Sequence, residues 1–367
     1  MRIVCALGGN ALLRRGEPPD AVVQEHHVAD AVAALAPLAA EHELVITHGN
    51  GPQIGMLALE SAADPALHVP YPLDALGAQT QGMIGYWIQR HLSNAAPGLQ
   101  VVVLVTRTEV DPADPAFGRP TKFVGPGYPE RVGRRLAAEQ GWAMAWDGER
   151  LRRVVPSPAP RRVVEADLAG RLVGPSTAVV CAGGGGIPVV STADGRFEGV
   201  EAVVDKDGAS ALVAETVGAD MLLLLTDVAA VEMGWGTPDA RPIGPTTTAD
   251  LAALALPAGS MGPKVAAACR FVDTTGRVAA IGALEDAAGL VAGRAGTVVR
   301  PAVRDRPAGA DDGDREEVVG AGSPEAGRRG PVAPGPRDRG QAAAAGAGAG
   351  AGSMRGGASD PPRCAAP

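Results

Sequence analysis

Residues 2–11 read RIVCALGGNA. A short, nearly unbroken apolar run ends abruptly in two glycines. A strand with no regular polar alternation is covered on both faces, as in parallel sheets flanked by helices. The pattern recurs in ELVIT (43–47), VVVLVT (101–106), TAVVCA (177–182), MLLLLT (221–226) and RVAAIG (277–282). Amphipathic segments at about 20–40, 74–92, 207–217, 262–271 and 284–292 fall between or after these runs and are expected as helices. The alternation predicts an α/β fold around a mainly parallel sheet. Ligands in such folds bind beyond the C-terminal ends of the strands, which is where the glycines fall.

Composition bounds the reading. Hydrophobic residues make up 46% of the 367, enough for a substantial core, and aromatics only 3%, so that core is built from Ala, Val and Leu. A net charge of -8 argues against a nucleic-acid partner, which needs a basic face. Cys5, Cys181, Cys269 and Cys364 are widely spaced, and the first three lie in apolar stretches. Buried free thiols are expected rather than disulfides or a metal site. Residues 2–7 are too short for a signal core, and no apolar run approaches a membrane span. A cytoplasmic protein is expected.

From about Arg304 the composition shifts to Gly, Ala, Pro, Arg and Asp. Residues 304–367 are expected as a disordered tail, because they cannot bury enough surface to offset their ordering entropy. An out-of-frame read of a GC-rich gene is one origin considered for them. Residues 107–165 are rich in Pro, Gly and Arg and read as a lid, a small subdomain or a long surface excursion.

The chemistry-bearing residues lie at the strand ends. Gly8-Gly9-Asn10 follows the first run, and His48-Gly49-Asn50-Gly51-Pro52 follows the second. Each is either a strand-ending turn or a backbone cradle for an anion; two from neighbouring strands favour the cradle. His48 could serve as a ligand or a base, but a histidine in a tight turn more often bonds the backbone, and that structural role is favoured. Neither a G-x-G-x-x-G fingerprint nor a P-loop occurs. Gly77, Gly82 and Gly85 interrupt a helix and are expected to serve close packing, across a dimer interface or otherwise. CAGGGGIPVV (181–190) adds four glycines after a strand. Lysine is scarce, arginine being the surface cation, yet Lys122, Lys206 and Lys264 all sit in Gly/Pro/Asp-rich turns. Lys206 lies between Asp205 and Asp207, and Lys264 follows the turn GSMG (259–262) at a helix start. A compact ammonium suits a phosphoryl group as a point charge. Thr226-Asp227-Val228 ends a buried strand where an adenine could rest.

Together, ALGGNAL, THGNGPQIG, LDALGAQTQGMIGYWIQ, PTKFVGPGY, CAGGGGIPVV, EAVVDKDGASALVAE, LTDV and GSMGPKVAAACRFV resemble the carbamate kinases of the amino acid kinase family, over about residues 2–301. Most of that wider family carries a lysine in the first strand. Carbamate kinases use one from a subdomain instead, which Lys122 matches. The resemblance implies a three-layer α/β/α sandwich over residues 1–303, with a small protruding subdomain at about 115–165. It also implies a homodimer, and the reaction ATP + carbamate = ADP + carbamoyl phosphate with Mg²⁺, run toward ATP in arginine fermentation. Lys122, Lys206 and Lys264 would neutralise the transferring group, and Asp207 would orient them. Gly8, Gly9, Asn10, Gly49, Asn50 and Gly51 would hold carbamate and phosphate, the glycines through their backbone N–H groups. Thr226, Asp227, Val228, Met261 and Gly262 would contact the nucleotide. Glu232, where the family tends to have a tyrosine, and Gly208, where a larger residue is usual, depart from the pattern. Rival readings are a kinase of the same fold acting on acetylglutamate or aspartate, a non-catalytic nucleotide-binding regulator, and a dinucleotide oxidoreductase.

Overall fold

The computed structural model describes residues 1–14, 16–254 and 261–302. The expected 304–367 tail, and Gly259 and Ser260 of the GSMG turn, lie outside the described residues. The central sheet has eight strands in the order Thr246–Thr247, Thr297–Arg300, Val278–Ala283, Met221–Thr226, Arg2–Leu7, Glu43–His48, Thr177–Val180, Gln100–Val103. Every neighbouring pair is parallel except Val278–Ala283 against Thr297–Arg300.

Side chains alternate across a strand, so each apolar run feeds two cores. Val4 and Ala6 face one core with Leu222 and Leu224; Ile3, Cys5 and Leu7 face the other with Leu223 and Leu225. The first core is closed by Ala166–Leu172, Lys206–Thr216 and Met261–Thr275. The second is closed by Ala21–Glu41, Leu73–Ala95 and Ala287–Val291. This is the three-layer arrangement, and both cores are mainly small and aliphatic.

The strands expected at 101–106 and 177–182 stop early, at Val103 and Val180. After the latter, Ala182 takes φ 49° and turns the chain into Gly183–Gly186. Gly85 carries the close packing expected of the interrupted helix, against its own chain: a Cβ there would lie 2.5 Å from Val103 Cγ1, whereas Gly77 and Gly82 face open space.

The segment 107–165 is folded. Arg107–Val110 and Pro160–Val163 join a four-stranded sheet with Ile187–Ser191 and Phe197–Gly199. Inside that frame, Lys122–Tyr128, Arg150–Val155 and Met144–Asp147 make a three-stranded antiparallel sheet, with helix Glu130–Gln140 against it. Val124 and Val155 of this sheet share a third apolar cluster with Ile54, Ala58, Leu73, Leu76 and Val203. Ile54 and Ala58 lie on helix Gly51–Ala63, which rises directly from the second glycine turn.

Candidate active site

Lys122, Lys206 and Lys264 are every lysine in the chain, and the fold brings all three to two adjacent aspartates. Asp205 caps helix Lys206–Thr216: its Oδ1 accepts the N–H groups of Asp207 at 2.9 Å and Gly208 at 3.2 Å. Its Oδ2 accepts Lys122 Nζ at 2.5 Å. The next turn holds the buried group. Asp207 Oδ1 accepts from Lys206, and Oδ2 accepts Lys264 Nζ at 3.3 Å. Lys206, Asp207 and Lys264 are 8%, 4% and 7% exposed. One buried carboxylate is therefore shared by two buried ammonium groups.

Electrostatics follow from this crowding. Burial holds the Lys206 ammonium below its ordinary value, opposed by Asp207 and reinforced by the charge of Lys264. Burial pushes the Asp205 carboxyl up, but the charge and hydrogen bond of Lys122, the charge of Lys206 and the N–H of Gly208 outweigh it. The carboxyl is brought down to about 2.

The glycine turns divide their labour differently from the expectation. The N–H of Gly8 donates to Leu225 O at 3.1 Å, and that of Gly49 donates to Leu7 O at 3.0 Å. Both continue the sheet ladder, so these two N–H groups are not donors to an anion. Gly49 instead permits close approach: a Cβ there would sit 3.0 Å from Gly9 N. Gly9 and Gly51 occupy the first positions of the 3₁₀ turn Gly9–Ala11 and of helix Gly51–Ala63. A first-position N–H has no acceptor within its own helix. Asn10 lies in the same 3₁₀ turn. Asn50 is the N-cap residue of the helix, but its side-chain amide donates to Thr80 Oγ1 at 2.9 Å rather than capping it.

His48 is structural. Its Nδ1–H donates to Gly49 O at 2.9 Å, and burial, against that hydrogen bond and with the Lys206 charge, lowers it to about 4. The ring is neutral at physiological pH. The four-glycine run packs closely against these turns. A Cβ on Gly183 would meet His48 Nε2 at 2.4 Å, one on Gly184 Asn50 Nδ2 at 2.2 Å, and one on Gly185 Val204 O at 2.5 Å.

On the other side of the first strand, Thr226 ends the neighbouring strand; its Cα is 3.8 Å from the Cβ position of Gly8. Thr226 Oγ1 donates to Asp227 Oδ1 at 3.1 Å, and Val228 is exposed beyond it. Met261 and Gly262 open helix Met261–Thr275, whose first turn carries Lys264. Reading the sequence gives Asp205 no role beyond its place beside Lys206. It misses the buried pair Thr47 and Ser210, whose hydroxyls meet at 2.7 Å and tie the second strand to the Lys206 helix, where Ser210 donates to Lys206 O at 2.6 Å. An Asp just before an amphipathic run could have signalled the cap; nothing in the chain pairs positions 47 and 210.

Among the described residues, no three His, Cys, Asp or Glu side chains converge to hold a metal. Asp205 and Asp207 are already engaged by lysines.

Comparison with known proteins identifies the family. Residues 1–282 match the model of the Amino acid kinase family. The carbamate kinase of Rhizobium meliloti (strain 1021) is 49% identical over 308 residues, covering 83% of this chain and 95% of the relative. The carbamate kinase of Giardia lamblia bound to citric acid superposes with a TM-score of 0.77 at 35% identity, covering 82% of this chain and 98% of that one. The same enzyme bound to AMP-PNP gives 0.73 at 36% identity, with the same two shares covered.

Proposed function

We propose a function from one premise: the chain belongs to the amino acid kinase family. Within it, the reading supported best is the reversible reaction ATP + carbamate = ADP + carbamoyl phosphate. The observation that carries it is the gathering of the chain's only lysines on Asp205 and Asp207. The 49% identity to a carbamate kinase over nearly its whole length supports the choice of substrate.

A carbamate oxygen attacks the γ-phosphorus of ATP while the bond to the ADP oxygen breaks. Carbamate is already an anion, so no general base is needed. Charge spreads over the transferring oxygens, and catalysis is then positioning and electrostatics. Lys206 and Lys264 face that charge with Asp207 holding them apart and in register. Lys122 arrives from the three-stranded sheet and is held by Asp205. The N–H groups of Gly9 and Gly51, with Asn10 and Asn50, receive the carbamate and the transferred phosphoryl. Thr226, Asp227, Val228, Met261 and Gly262 border the nucleotide. Mg²⁺ entering with the nucleotide would be held by its phosphates and water, and would supply further positive charge beside these lysines.

In the cell we assign the ATP-forming direction, at the end of arginine fermentation, in the cytoplasm. The net charge of -8 fits a chain without a nucleic-acid partner. Among the described residues no helix is long and apolar enough to cross a membrane. A homodimer, and the subdomain boundary at about 115–165, belong to the same proposal.

The test is ATP formation from carbamoyl phosphate and ADP with Mg²⁺. Lys264→Ala should lower kcat by roughly 10²–10³, as loss of one charge-stabilising donor does. A variant as fast as the wild type refutes the lysine cage. Phosphorylation of acetylglutamate or aspartate in place of carbamate refutes the substrate.

A further inference from the structure

Lys122 enters the site from a sheet that is separate from the central one, so something must set its height above Asp205. The strand carrying it, Lys122–Tyr128, lies on helix Gly51–Ala63. The contact is backbone on backbone at Gly55 and Gly125. A Cβ on Gly55 would fall 2.1 Å from both Gly125 Cα and Gly125 N, and 2.8 Å from the carbonyl carbon of Val124. Gly51, one turn earlier on the same helix face, has room: its Cβ position is 3.7 Å from Phe123 O. Gly125 takes φ 69° at the irregularity where the strand's pairing shifts register. Its carbonyl accepts Arg152 Nε at 2.7 Å, which fixes the bulge against the next strand.

We propose that Gly55 is a positioning residue for phosphoryl transfer, acting through Lys122: it lets the Phe123–Gly125 backbone lie directly on the helix and so seats the Lys122 ammonium on Asp205. The inference rests on the role given to Lys122 above. Any side chain at position 55 meets main chain rather than a movable side-chain tip, so the strand must lift. Lys122 is three residues from the point of contact and lifts with it. Lys206 and Lys264, on other helices, do not.

The scarcity of lysine makes this measurable. Gly55→Ala is treated with an amine-acylating reagent and mapped by peptide mass. In parallel, ATP formation is measured for Gly55→Ala, Lys122→Ala and the double variant. Gly82→Ala, a helical glycine with open space around it, serves as the control of unchanged activity. Arg152→Met, which frees the Gly125 carbonyl without adding an atom at the contact, covers the case in which Gly55→Ala fails to fold. The expected result is faster acylation of Lys122 alone. Expected with it is a fall in kcat of about 100-fold, the scale of an ångström's misplacement, with KM for ADP near wild type. The double variant should be no slower than Lys122→Ala. Unchanged acylation of Lys122 in both Gly55→Ala and Arg152→Met overturns the proposal, as does a double variant in which the two losses multiply. Should Lys122→Ala keep the full rate, the catalytic role of Lys122 falls, and acylation alone decides whether Gly55 seats it.

Discussion

Asp207→Asn isolates the electrostatic strain on which the site is built. Asp207 is 4% exposed and gives one oxygen to Lys206 and the other to Lys264. Neutralising it removes the carboxylate that both buried ammonium groups share. Removing one partner of a buried pair costs about 3–5 kcal/mol, and since asparagine keeps one carbonyl acceptor, about 3 kcal/mol is expected. At roughly 2 °C per kcal/mol for a large domain, that is a fall in Tm of about 6 °C. The sign of the pH dependence is also set. Burial and the Lys264 charge already depress Lys206, and Asp207 is the principal group opposing them. Without it the native-state value drops further below the unfolded one, so the variant is penalised most at low pH and recovers as pH rises and Lys206 sheds its proton. An anion can take the place of the lost carboxylate, so ADP should raise the stability of the variant more than that of the wild type. Urea unfolding at several pH values, with and without ADP, measures all three effects. A variant within about 0.5 kcal/mol of wild type at every pH, the range of an ordinary surface substitution, refutes the reasoning.

His48 supplies a second pH signature. Its native value of about 4 lies below the ordinary 6.5, so its stabilisation is present above 6.5 and is lost as pH falls from there through 4. The difference corresponds to about 3 kcal/mol. His48→Gln should flatten the urea-midpoint profile between those limits; profiles that run parallel to wild type contradict the assignment. Gly85→Ala should cost about 1–3 kcal/mol by overpacking, since its Cβ would press on Val103 Cγ1 at 2.5 Å. Val103→Ala should recover most of that loss in the double variant. Additive losses in chemical denaturation would locate the strain elsewhere.

The central strands were legible because burial on both faces leaves a run without polar alternation, and RIVCAL and MLLLLT form as read. The lysines were legible for a related reason: in a chain that covers its surface with arginine, a lysine in a turn needs an explanation. The glycines misled. Gly8 and Gly49 look like anion donors in one dimension, but their N–H groups belong to the sheet ladder, which depends on strand register. The four-glycine run had no assigned role in the sequence, and only the crowding of His48, Asn50 and Val204 around it reveals tight packing. Asp205 illustrates the remaining limit: its cap is local and readable, while its bond to Lys122 spans 83 positions and depends on the fold.

The place of the first strand in the sheet has a consequence for how the chain is made. Arg2–Leu7 is flanked by Glu43–His48 and by Met221–Thr226. One neighbour follows almost at once, but the other is separated from it by more than 170 further residues of chain. At 5–20 residues per second, synthesis of that interval takes roughly 10–35 s. Throughout it, an apolar strand has one edge of unpaired backbone groups, a template for pairing with another chain. The ribosome must therefore present this protein for that long with its central seam open, and cellular yield will depend on how well that edge is shielded as well as on the stability of the finished fold.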